Sequence, residues 1–528
     1  MAQPGTGPFP EAATAGIFGP MTVPTAPPSR PEALTPARGT DQGVEAGTGP
    51  GVPSPTSSEP LSTKQRAVRW AAVVGAVALV LAMPRPDGIT SESWRLLAIF
   101  VGVIVGSIAC PIPAGAMVLV GIVAVAVTGT LTPARALSGY ADPIVWLVLC
   151  AFFMSRGVVK TGLGRRIAFI LIRAIGSRSI GLIYALAATD TLIATLVPSN
   201  TARASVLFPI TKSLAEAFDS SPGPTRRRLG AFLMIAMYQC AIITGGMFLT
   251  GQASNVLIAR FAKDAAGVEL TYSRWLIGAI VPGVLSLLLV PLLLHWLYPP
   301  DVRRTPGAAA FAVDELRKLG RLTRGERIML LVFAAITGLW MTTSWHQISS
   351  TVVALVGVCA LLLTNVLSWD DILTERGAWD IYIWYGGLVL LAAALADTGI
   401  MNRFAAASGG LTTGWTWGLA LAVLLLIYFY AHYGFASITA HATAMYTPFL
   451  LVTIAAGAPP MLAALSLAYF SNLDASLTHY GSTPGPIYFG ARYVTQREWW
   501  KYGFIVSLAT IGIWSTVGLG WWKLLGWW

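Results

Sequence analysis

The sequence predicts an all-α polytopic membrane protein, and three observations carry that prediction. Of 528 residues, 55% are apolar and only 11% are charged, against roughly 25% charged in an average soluble domain. So little charge cannot cover a soluble globule of this length, which leaves lipid as the solvent. Apolar runs recur from Ala67 to the C-terminus, many of them close to the ~20 residues that cross ~30 Å of hydrocarbon. Basic residues gather in short segments between those runs, the arrangement that fixes orientation in a bilayer. The formal charge of +11 therefore belongs to cytoplasmic loops and not to a nucleic-acid surface. Cys110, Cys150, Cys240 and Cys359 sit in apolar stretches without CxxC pairing and read as small core residues, neither metal ligands nor a disulfide framework.

The elements follow in order. Residues 1–63 are rich in Pro, Gly, Ala, Ser and Thr, so they bury too little to offset chain entropy and are expected to be a disordered cytoplasmic tail. No apolar run precedes Ala67, so the first crossing, within 64–95, serves as the membrane signal. About eleven crossings are expected in all, near 67–83, 96–110, 113–130, 144–159, 229–249, 276–298, 328–346, 348–368, 379–397, 459–478 and 501–527. Two further segments, 180–217 and 415–454, are too long for one span and are broken by small polar residues. They are expected to be re-entrant hairpins. Lys64, Arg66 and Arg69 place the N-terminus in the cytoplasm. Alternation then puts Arg156–Arg178, Arg226–Arg228, the linker 299–327 and Arg497 inside, and the C-terminus on the extracytoplasmic side of an inner (plasma) membrane.

The two halves resemble each other at a shift of about 237 residues. Thr161–Ala168 matches Thr398–Ala405, and Ser199-Asn200-Thr201-Ala202-Arg203 matches Ser437-Ile438-Thr439-Ala440-His441, followed by Pro209 and Pro448. Each half, 96–298 and 328–528, holds an odd number of expected crossings, so the second copy is inverted relative to the first. Inverted repeats with broken helices at matching positions mark a secondary transporter with a midplane site.

The repeat picks out that site. Pro198 followed by Ser199-Asn200-Thr201 ends one half-helix and begins the next, leaving backbone N–H groups that need partners inside a membrane. An anion at such half-helix N-termini meets both the N–H groups and a favourable dipole. A plain helix cap is the alternative for either motif taken singly. Companion breaks lie at Thr250–Asn255, with Gly245 and Gly246 expected to help the loop turn, and at Gly481–Pro486. Arg203 and His441 each stand four residues after a motif serine, on the same helical face. Either they serve the anion or its charge balance, or Arg203 pairs with Asp190 or Glu216 and His441 is a neutral core histidine. Asp190, Asp474, His432 and His479 are further polar residues in apolar surroundings, for which packing and proton relay both stand open. No HExxH, no G-x-S-x-G and no paired Cys/His spacing is present, so an enzyme is not expected.

At these residues the chain resembles the divalent anion:sodium symporter family of dicarboxylate and citrate carriers over most of 67–528. Ser199-Asn200-Thr201, Ser437-x-Thr439 and Thr483-Pro484 carry the likeness. His432–Ser437 and Leu477–Gly481 look most like its exchanger branch. The resemblance implies a homodimer with an elevator-type moving domain, carrying small dicarboxylate or tricarboxylate anions such as succinate, malate, 2-oxoglutarate, citrate or tartrate. By position it implies that Ser199, Asn200, Thr201, Gln252 and Ala253 form one half of the substrate pocket, and Ser437, Thr439, Thr483 and Pro484 the other. Sodium-coupled members carry an asparagine where this chain has Ile438. With Arg203 and His441 adjacent as charge-compensating candidates, cation-independent exchange is expected, without metal or cofactor. Na⁺-coupled symport is the alternative.

Overall fold

A computed structural model describes residues 62–400, 403–404 and 409–528. The expected tail falls almost wholly outside the described residues, as do Met401, Asn402 and Ala405 of the second repeat match. Among the described residues the chain is helical throughout, with one isolated antiparallel bridge between Arg178 and Arg304. The first helix, α1 (Thr63–Ala82), opens on a capping box in which Ser62 and Gln65 satisfy each other's backbone. α2 (Ser91–Ala109) and α3 (Ala114–Val127) follow. α4 (Pro143–Thr161) is capped by Asp142, with Pro143 preset for its first turn.

Two arms, α5 (Ser179–Ala194) and α6 (Asn200–Ala217), are separated by Thr195–Ser199. α7 (Gly230–Met247) unwinds at Phe248 and resumes as α8 (Ala253–Ala266). α9 (Tyr272–Leu297) closes the first half. The linker holds α10 (Gly307–Leu319).

The second half runs through α11 (Arg324–Met341), α12 (Ser350–Leu363) and α13 (Arg376–Asp397). Two arms, α14 (Trp417–Ala431) and α15 (Ile438–Ala455), follow, and α15 contains a π-helical turn at Ala442–Tyr446. α16 (Pro460–Leu473), a tight turn at Asp474–Leu477, α17 (Pro484–Gly490) and α18 (Gln496–Leu524) complete the chain.

Nine helices among the described residues are long and apolar enough to cross a membrane. The difference from about eleven has simple causes. α3 and α12 are 14 residues each, about 21 Å at 1.5 Å per residue. α11 carries Arg324, Glu326 and Arg327 in its first turn, and α16 also stops at 14 residues. Conversely, the segment Trp417–Gly434 and α15, expected as arms of one hairpin, are each 18 residues and apolar enough to span.

α7 fixes where the site lies. Every one of its residues is buried, as expected of a helix that is apolar all round. Around it packs the main core; a smaller one joins α2, α3 and α13 through Val103, Val118, Ile122, Leu388 and Leu391. Outer faces stay apolar and open, with Val127 81% and Trp296 78% exposed. Such faces suit hydrocarbon and not water.

Candidate functional site

Both arm pairs turn in the same manner. Ser199 Oγ accepts the Ala202 N–H at 3.1 Å to start α6, and Ser437 Oγ accepts the Ala440 N–H at 3.4 Å to start α15. Both serines are extended in backbone, at φ −136° and −154°. The cap reading is thus correct for both serines. It does not exclude a ligand, because a cap satisfies one of the four orphan donors at a helix start.

The two starts face one cavity of ≈860 Å³, within the usual range for small-molecule sites. Its wall carries Ser199, Asn200, Thr201, Gln252 and Ala253 from the first half, and Ser437, Thr439 and Thr483 from the second. Among the described residues, the hydroxyls of Thr201, Thr439 and Thr483 are not engaged within the protein. Ile438 is also on the wall. Pro484 is not; it is buried one step behind, where it starts α17.

Arg203 and His441 lie behind the wall. Arg203 is 1% exposed and pairs with Asp190 at 2.9 Å, the structural alternative for this residue. Its remaining N–H groups donate to Asn200 Oδ1 at 2.7 Å and to the carbonyls of Val197, Gly251 and Ala241. The second carboxylate oxygen of Asp190 accepts from the Thr244 hydroxyl. Direct contact between Arg203 and an anion in the cavity is therefore excluded in this conformation by five partners already in place. Glu216 is not among them; it pairs with Lys212 on the surface. His441 is fully buried, its Nδ1 2.8 Å from Asp474 Oδ2.

A run of side-chain amides supports the wall from within. Asn200 Nδ2 donates to Gln252 Oε1 at 2.9 Å, Gln252 donates to Asn472 Oδ1, and Asn472 Nδ2 donates to Asn255 Oδ1 at 2.9 Å. Asn255 in turn donates to the carbonyls of Gly245 and Phe248, both at 2.8 Å, satisfying the unwound end of α7. Contrary to the expectation from sequence, Gly245 and Gly246 do not make the turn. They sit inside α7, where a Cβ on Gly245 would lie 3.0 Å from Asn200 Oδ1 and one on Gly246 3.1 Å from Asn472 Cβ. Their function is to let the amides come close.

The cavity is also lined by residues that the sequence did not single out: Ser155 and Arg156 of α4, and Glu375, Arg376 and Asp380 at the start of α13. Burial pushes the Glu375 carboxyl above its ordinary value against the pull of Arg156. The available signal was the i,i+4 pair Arg376–Asp380 heading an apolar run. Asn472 was missed as well, though an asparagine in an apolar helix two residues before Asp474 is a similar signal.

Apolar helices unwound at matched points around a polar cavity define a class, the polytopic membrane transporters. Comparison with known proteins gives the family: the chain belongs to the divalent anion:sodium symporter family, and residues 64–528 match the family model described as the sodium:sulfate symporter transmembrane region. It is a transporter-family protein and not an enzyme. The chain is 45% identical over 477 residues to the putative malate transporter YflS of Bacillus subtilis, covering 89% of this chain and 100% of that one. It is 43% identical over 452 residues to the chloroplastic dicarboxylate transporter 1 of Arabidopsis thaliana, covering 84% and 81%. The crystal structure of the Alcanivorax borkumensis YdaH transporter shares its fold, with a TM-score of 0.51 at 12% identity over 88% of this chain and 99% of that one.

Proposed function

We propose that the chain is a secondary active carrier of small dicarboxylates, with tricarboxylates such as citrate as a further class, working by cation-independent exchange. One observation carries the reading. Two serine-capped helix starts from opposite halves of the sequence converge on one cavity whose wall offers three unengaged threonine hydroxyls. Helix N-termini and hydroxyls are donors, and a dicarboxylate presents an acceptor group at each end. The names of its relatives, a putative malate transporter and a dicarboxylate transporter, point to the same chemistry.

Exchange is favoured over sodium symport by what surrounds Arg203. The carbonyls of Val197 and Gly251, the groups at this tip suited to ligate a small cation, already accept from the guanidinium. Ile438 offers no side-chain oxygen at the other tip. The two halves act as an inverted repeat, with an elevator-type movement in a homodimer, as family resemblance implies. The basic segments favour an inner-membrane orientation with the N-terminus in the cytoplasm.

Reconstitution tests this. Liposomes preloaded with malate, succinate, 2-oxoglutarate or citrate should take up labelled dicarboxylate at the same rate with and without Na⁺, and empty liposomes should take up almost none. Strong Na⁺-driven uptake into empty vesicles would establish symport and overturn exchange.

A further inference from the structure

His432, His441 and Asp474 come from three segments and meet with none of their surface exposed. His441 Nδ1 lies 2.8 Å from Asp474 Oδ2, and His432 Nδ1 lies 3.6 Å from Asp474 Oδ1. His432 Nε2 is 2.9 Å from the Gly481 carbonyl. A carbonyl only accepts, so Nε2 carries the hydrogen and a neutral His432 points a bare lone pair from Nδ1 at a carboxylate. His432 Nδ1, both ring nitrogens of His441 and both carboxylate oxygens of Asp474 lack a hydrogen-bond partner. With both rings neutral and Asp474 ionised, the cluster carries a net negative charge in apolar surroundings.

Nothing nearby offsets that charge. The titratable side chains packed around the cluster are tyrosines. The Tyr428 ring is 4.4 Å from that of His441, and its hydroxyl is 2.6 Å from Ser471 Oγ. Tyr238 donates to the Ala475 carbonyl at 2.7 Å, and Tyr446 donates to the Ala464 carbonyl at 3.0 Å. Among the described residues no lysine or arginine pairs with Asp474. One proton on His432 Nδ1 sets an imidazolium against the carboxylate as an ion pair at 3.6 Å and removes the net charge. A metal ion fits less well: two ligands at bonds of about 2.0–2.1 Å in tetrahedral geometry stand roughly 3.3 Å apart, wider than the 2.8 Å between His441 and Asp474.

The cluster is tied to the cavity by the chain itself. His432 and His441 bracket Ser437, Ile438 and Thr439, and Gly481 adjoins Ser482 and Thr483, all of them on the cavity wall. We infer that the His432–Asp474–His441 cluster is a proton-binding site, and that each dicarboxylate settling on the tip draws one proton onto it. The proton comes from the aqueous side and forms an N–H bond at His432 Nδ1; no bond in the protein breaks. A proton there holds the tip and the 481–483 loop together on the end of α16, and a dianion in the cavity favours the added positive charge. By linkage each promotes the other. The inference rests on the dicarboxylate reading of the cavity.

Calorimetry on the purified full-length carrier separates the two. L-malate is titrated in buffers of differing ionisation enthalpy across roughly pH 6 to 9, the range around an imidazole and above. Uptake should approach about one proton per malate bound at its maximum, and should vanish in both Asp474→Asn and His432→Gln while malate still binds. Malate binding without proton uptake at any pH, or uptake that persists in both variants, overturns the proton site. If neither malate nor any other dicarboxylate gives a heat of binding, the dicarboxylate reading falls, and this inference with it.

Discussion

Ser199 and Thr439 touch the cavity in different ways, and substitution should separate them. Ser199 caps α6, so Ser199→Ala removes a cap worth about 1 kcal/mol along with a cavity hydroxyl. Thr439 has no such structural duty for its hydroxyl, although its carbonyl accepts from Thr443 Oγ1 at 2.6 Å. Thr439→Ala should leave thermal unfolding in detergent nearly unchanged, and Ser199→Ala should lower it slightly. Both should cut labelled-malate exchange in proteoliposomes by about tenfold or more, the effect of losing one good hydrogen bond to a charged group. Wild-type exchange in both would place the substrate elsewhere. Arg203 teaches the complementary lesson. Its spacing from Ser199 and its two possible partners, Asp190 and Glu216, were visible in the sequence, and it is the meeting of the two arms that selects Asp190, thirteen residues earlier.

At the scale of elements, the short connecting helix Trp369–Thr374 is held to α4 by Asp371, which meets Lys160 and Arg156. Burial works to raise the Asp371 pKa, but the hydrogen bonds of Lys160 and Ser368 outweigh it and hold the carboxyl below its ordinary value. A depressed carboxyl contributes stability that is fully present above the unfolded value, near pH 3.9, and is lost as pH falls through the lower folded value. Because Lys160 is 40% exposed, that contribution is at most about 1 kcal/mol. Asp371→Asn should therefore be less stable than wild type near neutral pH, and the difference should shrink on acidification, measured by thermal unfolding in detergent.

Most elements were legible because apolar runs and their breaks are local signals. Pro198-Ser199 and Ala436-Ser437 marked the arm junctions, and the Thr250–Asn255 break fell where α7 unwinds. What the sequence could not show was reach across the fold. The cavity wall formed by Arg156, Arg376 and Asp380 depends on how α13 packs against α4. Gly245 and Gly246 read as turn residues because proximity to Asn200 and Asn472 has no sequence signature.

For the whole molecule, alternating access requires that the cavity open to one side at a time. Cys110 and Cys359 are exposed while Cys150 and Cys240 are buried, so a C110S/C359S background leaves few competing thiols. In it, Thr201→Cys should react with a membrane-impermeant maleimide from one face of oriented vesicles, and malate should slow the reaction several-fold. Equal labelling from both faces at equal rates, with no effect of malate, would count against a single gated cavity.

The amide run from Asn200 through Gln252 and Asn472 to Asn255 has a consequence for how the gene can vary. Three of its members come from the first half and one from the second, and each contact uses a donor on one side and an acceptor on the other. A drift to aspartate or leucine at any one position strands its neighbour inside the protein, so the four must change together or not at all. The natural seam for exchanging halves between relatives is therefore not set by the linker at 299–327. It runs through Asn472, which has to arrive with a matching first half.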